Sequence, residues 1–233
     1  DWYVTLADNK NLYIDQDLVD LPSLPKCNPL KKSDVEKELV CPYELTENQC
    51  QSFRKEGFIK LPNVLSKDAV LHLRLELLNF LGKTFNVDID TENSNRFLSL
   101  EMMWLENSFI RKYVLSPRIA KIAADLLGVP SVRLYHDNTL AKEPGCGRTP
   151  WHCDDDHFPL DTQEVVTAWI PAQPIPMAMG PLAFAKPLTI FDLVKNIKFN
   201  KFDTSYDQQV SETFRLNEVE IEDGPFAIGE VSF

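Results

Sequence analysis

Apolar residues recur with a helical period over residues 70 to 81, where Val70, Leu71, Leu73, Leu77, Leu78 and Leu81 line one broad stripe. Ser66 stands just ahead of them as an N-cap. A second helix is predicted upstream: Thr46 is the cap, Gln49 completes a capping box, and Leu45 is placed to staple onto the first turn. Gly57 should end that helix, since glycine tolerates the left-handed backbone of a C-terminal cap. Between the two, G-F-I-K-L-P-N-V-L reads as a short strand and turn. Residues 97 to 128 are also read as helical, with Ser116 as a cap, Pro117 at the first helical position and Gly128 closing the last helix.

After Pro130 the texture changes. V-R-L-Y-H-D-N-T-L-A-K, V-V-T-A-W-I, P-L-A-F and F-A-I-G-E-V-S-F are rich in β-formers and are separated by Gly and Pro turns. Helices first and strands later indicate an α+β arrangement, with helices packed on an antiparallel sheet or barrel. Residues 1–45, broken by L-P-S-L-P and C-N-P-L, are read as an irregular N-terminal arm. Residues 46–233 then form a single domain, mainly helical over 46–130 and β-rich over 131–233. No internal repeat or low-complexity tract is visible.

Composition narrows the function. The chain has 233 residues, 44% hydrophobic and 25% charged, which is enough for a sizeable core. A net charge of −11 repels phosphate backbones, so nucleic acid is not an expected partner. It also weighs against a docking patch for highly anionic coenzymes. No apolar run is long enough to span a membrane. Five cysteines (27, 41, 50, 146 and 153) contain no C-x-x-C pair, and no N-x-S/T sequon occurs. Together with the lack of a visible secretory peptide, this suits a reducing, cytoplasmic setting. The chain does not begin with Met, so a removed leader is compatible with this reading. Oligomeric state is not readable.

Several motifs fall away. G-K-T at 82–84 resembles the end of a phosphate-binding loop, but that loop needs a glycine where Leu77 stands, and a helix C-cap accounts for it. There is no G-x-S-x-G elbow and no H-E-x-x-H. His72 sits in the leucine-rich helix and reads as structural. What remains is P-W-H-C-D-D-D-H-F at 150–158. Cys146, His152, Cys153 and His157 are the right types for structural zinc, but adjacent ligands diverge on an extended chain and no paired knuckle supports them. A plain polar loop is a second reading. The third uses His152 and Asp154: at i and i+2 of an extended segment both side chains point to one side. One imidazole and one carboxylate are two-thirds of the 2-His-1-carboxylate facial triad, which leaves open positions on Fe(II). By the same alternation Cys153 points away.

The surroundings of this motif are more specific than the motif. V-R-L-Y-H-D-N-T-L-A-K-E-P-G, T-P-W-H-C-D-D-D-H-F-P-L-D, V-T-A-W-I-P and G-P-L-A-F follow one another in the order and spacing of the phytanoyl-CoA dioxygenase family, which the chain resembles. Upstream, L-T-E-N-Q-C-Q-S-F-R-K-E-G-F-I-K-L-P-N-V-L-S is similar to that family's opening, and the final G-E-V-S-F to its G-D-V-x-F. The resemblance runs from about residue 45 to Phe233.

It implies a double-stranded β-helix, a jelly-roll or cupin-like barrel, carrying Fe(II) and using 2-oxoglutarate and O2 on a small-molecule substrate. Carried over by position, His152 and Asp154 are iron ligands, while Trp169 and Asn138 line the co-substrate. Leu140 and His136, the alternation partners of Asn138, face the same cavity, Leu140 beside 2-oxoglutarate and His136 either toward substrate or as a satisfied core histidine. His157, in place of an aromatic, is a second substrate contact; Trp151 is packing, and Asp155 and Asp156 are solvated or support the ligands. The family's second histidine ligand, its 2-oxoglutarate-binding arginine and the last barrel strands are expected beyond Phe233. The implied reaction oxidises an unactivated C–H bond by hydroxylation, desaturation or oxidative ring closure, releasing succinate and CO2. The rival reading is a non-catalytic jelly-roll binding or structural protein that lacks a complete metal triad.

Overall fold

A computed structural model describes residues 32–87, 96–143, 146–154, 158–199 and 204–233. The helical half is built on its caps. Helix α1 (Lys32–Val40) lies within the arm expected to be irregular. Nine residues make a helix that is marginal alone. Val35 and Leu39, four apart and thus on one face, are 1% and 2% exposed in the main core, so burial holds it. Helix α2 (Glu47–Glu56) carries the full Thr46–Gln49 capping box and ends at Gly57, whose φ is 86°. Strand β1 (Lys60–Leu61) and a turn lead into helix α3 (Lys67–Phe85), capped by Ser66 accepting from the Ala69 N–H at 3.2 Å. This helix runs through Gly82. Its cap is Asn86, in the left-handed region at φ 52°, with its N–H bonded to the Gly82 carbonyl, so G-K-T forms the last turn before the cap.

Residues 97–101, expected to be helical, form strand β2 (Phe97–Glu101), paired antiparallel with strand β3 (Asn138–Lys142) from Phe97↔Lys142 to Glu101↔Asn138. Pairing to a distant segment overrides local preference here, as is usual for strands. Helices α4 (Ser108–Val114) and α5 (Pro117–Leu127) follow, capped by Asn107 and Ser116. Gly128 closes α5 at φ 71°. Ser116 Oγ also donates to the Leu39 carbonyl at 2.8 Å and Arg118 Nε to the Cys41 carbonyl at 2.6 Å, satisfying acceptors at the end of α1.

The β-rich half adds strand β4 (Phe184–Lys186), the short helix α6 (Phe191–Val194), helix α7 (Ser205–Leu216) and strands β5 (Glu220–Glu222) and β6 (Val231–Ser232). β4 pairs antiparallel with β5, and β6 with β1. On its other edge Ser232 exchanges both backbone hydrogen bonds with Trp169, at 2.8 and 3.1 Å. The molecule is thus α+β. Its described strands pair as three two-stranded sheets, and closure into a barrel is not among those pairings. Val231 and Phe233 are buried in the helical core and tie the two halves together. A smaller cluster gathers Tyr206, Val210 and Phe214 of α7 against Trp151. Among the described residues no helix is long and apolar enough to cross a membrane.

Candidate functional site

The chain leaves β3 at Lys142 and returns as residues 146–154, which carry the H-x-D motif. His152 Nδ1 lies 2.9 Å from the Pro150 carbonyl oxygen. A carbonyl only accepts, so Nδ1 carries a proton and the other ring nitrogen is the one that meets a ligand. That nitrogen, Nε2, is 3.4 Å from Asp154 Oδ1. Thr167 Oγ1 donates to the second carboxylate oxygen, Oδ2, at 2.6 Å. The His152 side chain is 26% exposed and that of Asp154 46%.

The electrostatics of this pair call for a cation. With Nδ1 protonated, a neutral His152 turns its Nε2 lone pair toward a carboxylate oxygen, and the two repel unless positive charge lies between them. A proton on Nε2 supplies such charge as a metal ion would, and the His152 pKa is raised accordingly. Burial, the largest effect, pulls it down, but hydrogen bonds to Asp154 and Pro150 and the Asp154 charge together raise it above the ordinary value, against a smaller opposing effect of Lys142. Two cis donors on a first-row metal with bonds of about 2.1 Å stand about 3 Å apart, near the spacing seen here. The residues present therefore fit two positions of a metal site, with each donor already steadied by a hydrogen bond on its far side. Among the described residues no group of three His, Cys, Asp or Glu side chains gathers to hold a metal. The Cys146 thiol donates to the Arg96 carbonyl at 2.9 Å, which commits it away from a zinc cluster.

The other expected site residues are spread over neighbouring segments. Asn138 opens β3, and its Oδ1 accepts from Ser99 Oγ at 3.3 Å. Leu140, on the same strand, is 41% exposed. His136 precedes the strand in an aromatic cluster, edge-on to Tyr135 at 5.0 Å and to Phe158 at 5.7 Å. Trp169 is held by its Ser232 pairing, with its ring edge-on to Phe226 at 4.8 Å. Asp155, Asp156 and His157 lie outside the described residues.

Two residues that bear on the loop are assigned no role by the sequence motifs. Lys142 continues the alternation of Asn138 and Leu140, and that period-2 pattern is the signal that would have found it. Although the residue as a whole is exposed, its ammonium donates to Thr149 Oγ1 at 2.7 Å and to the Gly147 carbonyl at 3.2 Å. Desolvation, the largest effect, lowers its pKa to about 8; Cys146 opposes this and Arg148 adds to it. Asp207, on α7, accepts from the Trp151 N–H at 2.9 Å and pairs with Arg148; no local pattern announces it.

No curated protein matches this chain in sequence. Among solved structures it is similar to the crystal structure of the non-heme alpha ketoglutarate dependent carbocyclase SnoK from nogalamycin biosynthesis. The TM-score is 0.61 at 21% identity, over 82% of this chain and 76% of that one. The likeness supports a cupin-like fold. The model of the phytanoyl-CoA dioxygenase (PhyH) family matches residues 53–186, more than half of the sequence. With that match the chain belongs to the phytanoyl-CoA dioxygenase family, as a 2-oxoglutarate-dependent non-heme iron dioxygenase that works with Fe(II), 2-oxoglutarate and O2.

Proposed function

We propose that this enzyme hydroxylates an unactivated C–H bond of a small-molecule substrate, with His152 and Asp154 as two of its iron ligands. Desaturation or oxidative ring closure replaces hydroxylation where the bound substrate's geometry prevents hydroxyl transfer. The observation that carries the reading is the convergence of His152 Nε2 and Asp154 Oδ1 at 3.4 Å, each steadied from behind. Bound Fe(II) with 2-oxoglutarate and O2 supplies the oxidising chemistry, releasing succinate and CO2.

The chain's own residues do the holding. The Pro150 carbonyl keeps the imidazole in one tautomer, and Thr167 orients the carboxylate. The Trp169 ring, with Asn138 and Leu140, lines the 2-oxoglutarate side. His136 and His157 meet the substrate. In this reading residues 46–233 act as one oxygenase domain, and β1, β6 and the Trp169 segment belong to a double-stranded β-helix.

The test is succinate formation under air with Fe(II), ascorbate and 2-oxoglutarate, beside His152→Ala and Asp154→Ala. Succinate from the parent protein that disappears in both variants supports the assignment. Undiminished succinate in either variant removes that residue from the iron site.

A further inference from the structure

Asp207 is used by none of the roles above, yet it is 6% exposed, and a buried carboxylate needs partners. It has two. The Arg148 guanidinium offsets its charge, and the Trp151 N–H donates to its Oδ1 at 2.9 Å. Both partners lie on the approach to His152. The Trp151 N–H belongs to the same peptide unit as the Pro150 carbonyl, and that carbonyl accepts from His152 Nδ1 at 2.9 Å. The unit is trans, since the cis bond among the described residues falls at Lys186–Pro187. In a trans unit the N–H and the C=O point in opposite directions. Holding one end therefore aims the other. Two turns further along α7, Phe214 packs edge-on to the Trp151 ring at 5.2 Å, so one helix grips both the backbone and the side chain of Trp151.

We propose that Asp207 is a positioning residue for His152, acting through the Pro150–Trp151 peptide. It fixes the plane of that peptide, and the Pro150 carbonyl then holds Nδ1 protonated and turns Nε2 toward Asp154. The α7 segment, which enters between β4 and β5, thereby reaches the metal loop without touching metal or substrate. This rests on His152 being an iron ligand. A purely structural weld between α7 and the loop would lower stability when cut and leave metal affinity in proportion; a positioning role separates the two.

The experiment measures Co(II) affinity by titration, thermal stability, and the nitrogen-15 spectrum of the metal-free His152 ring. The proteins are the parent, Asp207→Ala, Asp207→Asn, Phe214→Leu and His152→Ala. Removing a partner that orients a ligand weakens metal binding by about tenfold or more, and that loss is expected of Asp207→Ala. Asp207→Asn keeps an amide oxygen for the Trp151 N–H and should stay within about threefold of the parent. The ring should hold the Nδ1–H tautomer in the parent and in Asp207→Asn, and show mixed tautomers in Asp207→Ala. Phe214→Leu should melt earlier without the loss of affinity. If Asp207→Ala does not fold, Asp207→Ser replaces it, because its hydroxyl falls short of the Trp151 amide.

A folded Asp207→Ala or Asp207→Ser protein that binds Co(II) like the parent overturns the proposal. So does a Phe214→Leu protein that loses as much affinity. His152→Ala separates the levels. If it binds Co(II) undiminished, the iron-site reading itself falls; if it does not bind and Asp207→Ala is neutral, only the positioning role falls.

Discussion

Thr167 Oγ1 donates to Asp154 Oδ2 at 2.6 Å, joining the H-x-D loop to a segment thirteen residues further along the chain. That segment is placed by the sheet: two residues on, Trp169 pairs with Ser232, and Ser232 lies in β6 against β1. A carboxylate on a loop is thus oriented by the β-half of the molecule. Thr167→Val preserves shape and removes the donor. Metal affinity should fall about tenfold, as for other partners that orient a ligand, while the melting temperature stays close to the parent's. Equal Co(II) affinity for the two proteins would dismiss the role.

Arg96 and Glu143 close the open end of the β2–β3 pair. The guanidinium donates to both carboxylate oxygens at 2.6 to 3.0 Å, and the Arg96 N–H adds a bond at 3.1 Å. Hydrogen bonds from the Arg96 side chain are the largest cause of a lowered Glu143 pKa; burial opposes them. The folded state therefore binds this proton less tightly than the unfolded chain. The pair's contribution is full above the ordinary glutamate pKa and is lost as pH falls through the folded-state value. Glu143→Gln should cost about 2 kcal/mol at neutral pH, and the gap should close in acid. Urea unfolding at a series of pH values measures it.

Asp137 behaves in the opposite sense. Among the described residues its buried Oδ2 has no hydrogen-bond partner, and Oδ1 accepts from the Trp104 N–H at 3.4 Å. Burial, the largest effect, raises its pKa, with nearby backbone N–H groups opposing. Here the folded state holds the proton more tightly. The associated stability is full in acid and is lost as pH rises through the folded-state pKa. Asp137→Asn removes that loss, so the variant should gain on the parent as pH rises through the folded-state pKa. Parallel stability curves for the two proteins would count against it.

Gly229 tests a close approach of backbone to backbone. Its φ is 90°, and a Cβ there would sit 2.2 Å from the Leu65 carbonyl oxygen. Gly128 also has a positive φ, 71°, but its Cβ would meet nothing within 4 Å. Gly128→Ala should cost about 1 kcal/mol, the backbone term alone. Gly229→Ala adds a clash with a backbone atom that cannot turn aside, and should cost about 3 kcal/mol or more. Denaturant midpoints of the two variants give the comparison.

What the sequence determined by itself is local. Thr46 and Gln49, Ser66, Ser116 with Pro117, Gly57 and Gly128 act on backbone groups within a few residues, so their caps could be read without knowing the fold. His152 and Asp154 are two residues apart, and alternation alone puts both on one side. Tertiary structure decided the rest. Val35 and Leu39 make a helix because a core receives them, and Phe97–Glu101 is a strand because Asn138–Lys142 lies beside it. Asn86, not Gly82, ends α3. The grip of Asp207 on Trp151 spans 56 residues, and the Thr167 bond to Asp154 spans 13. Contacts at such separations have no periodicity to betray them, because their energy is gained only after the chain between them has folded.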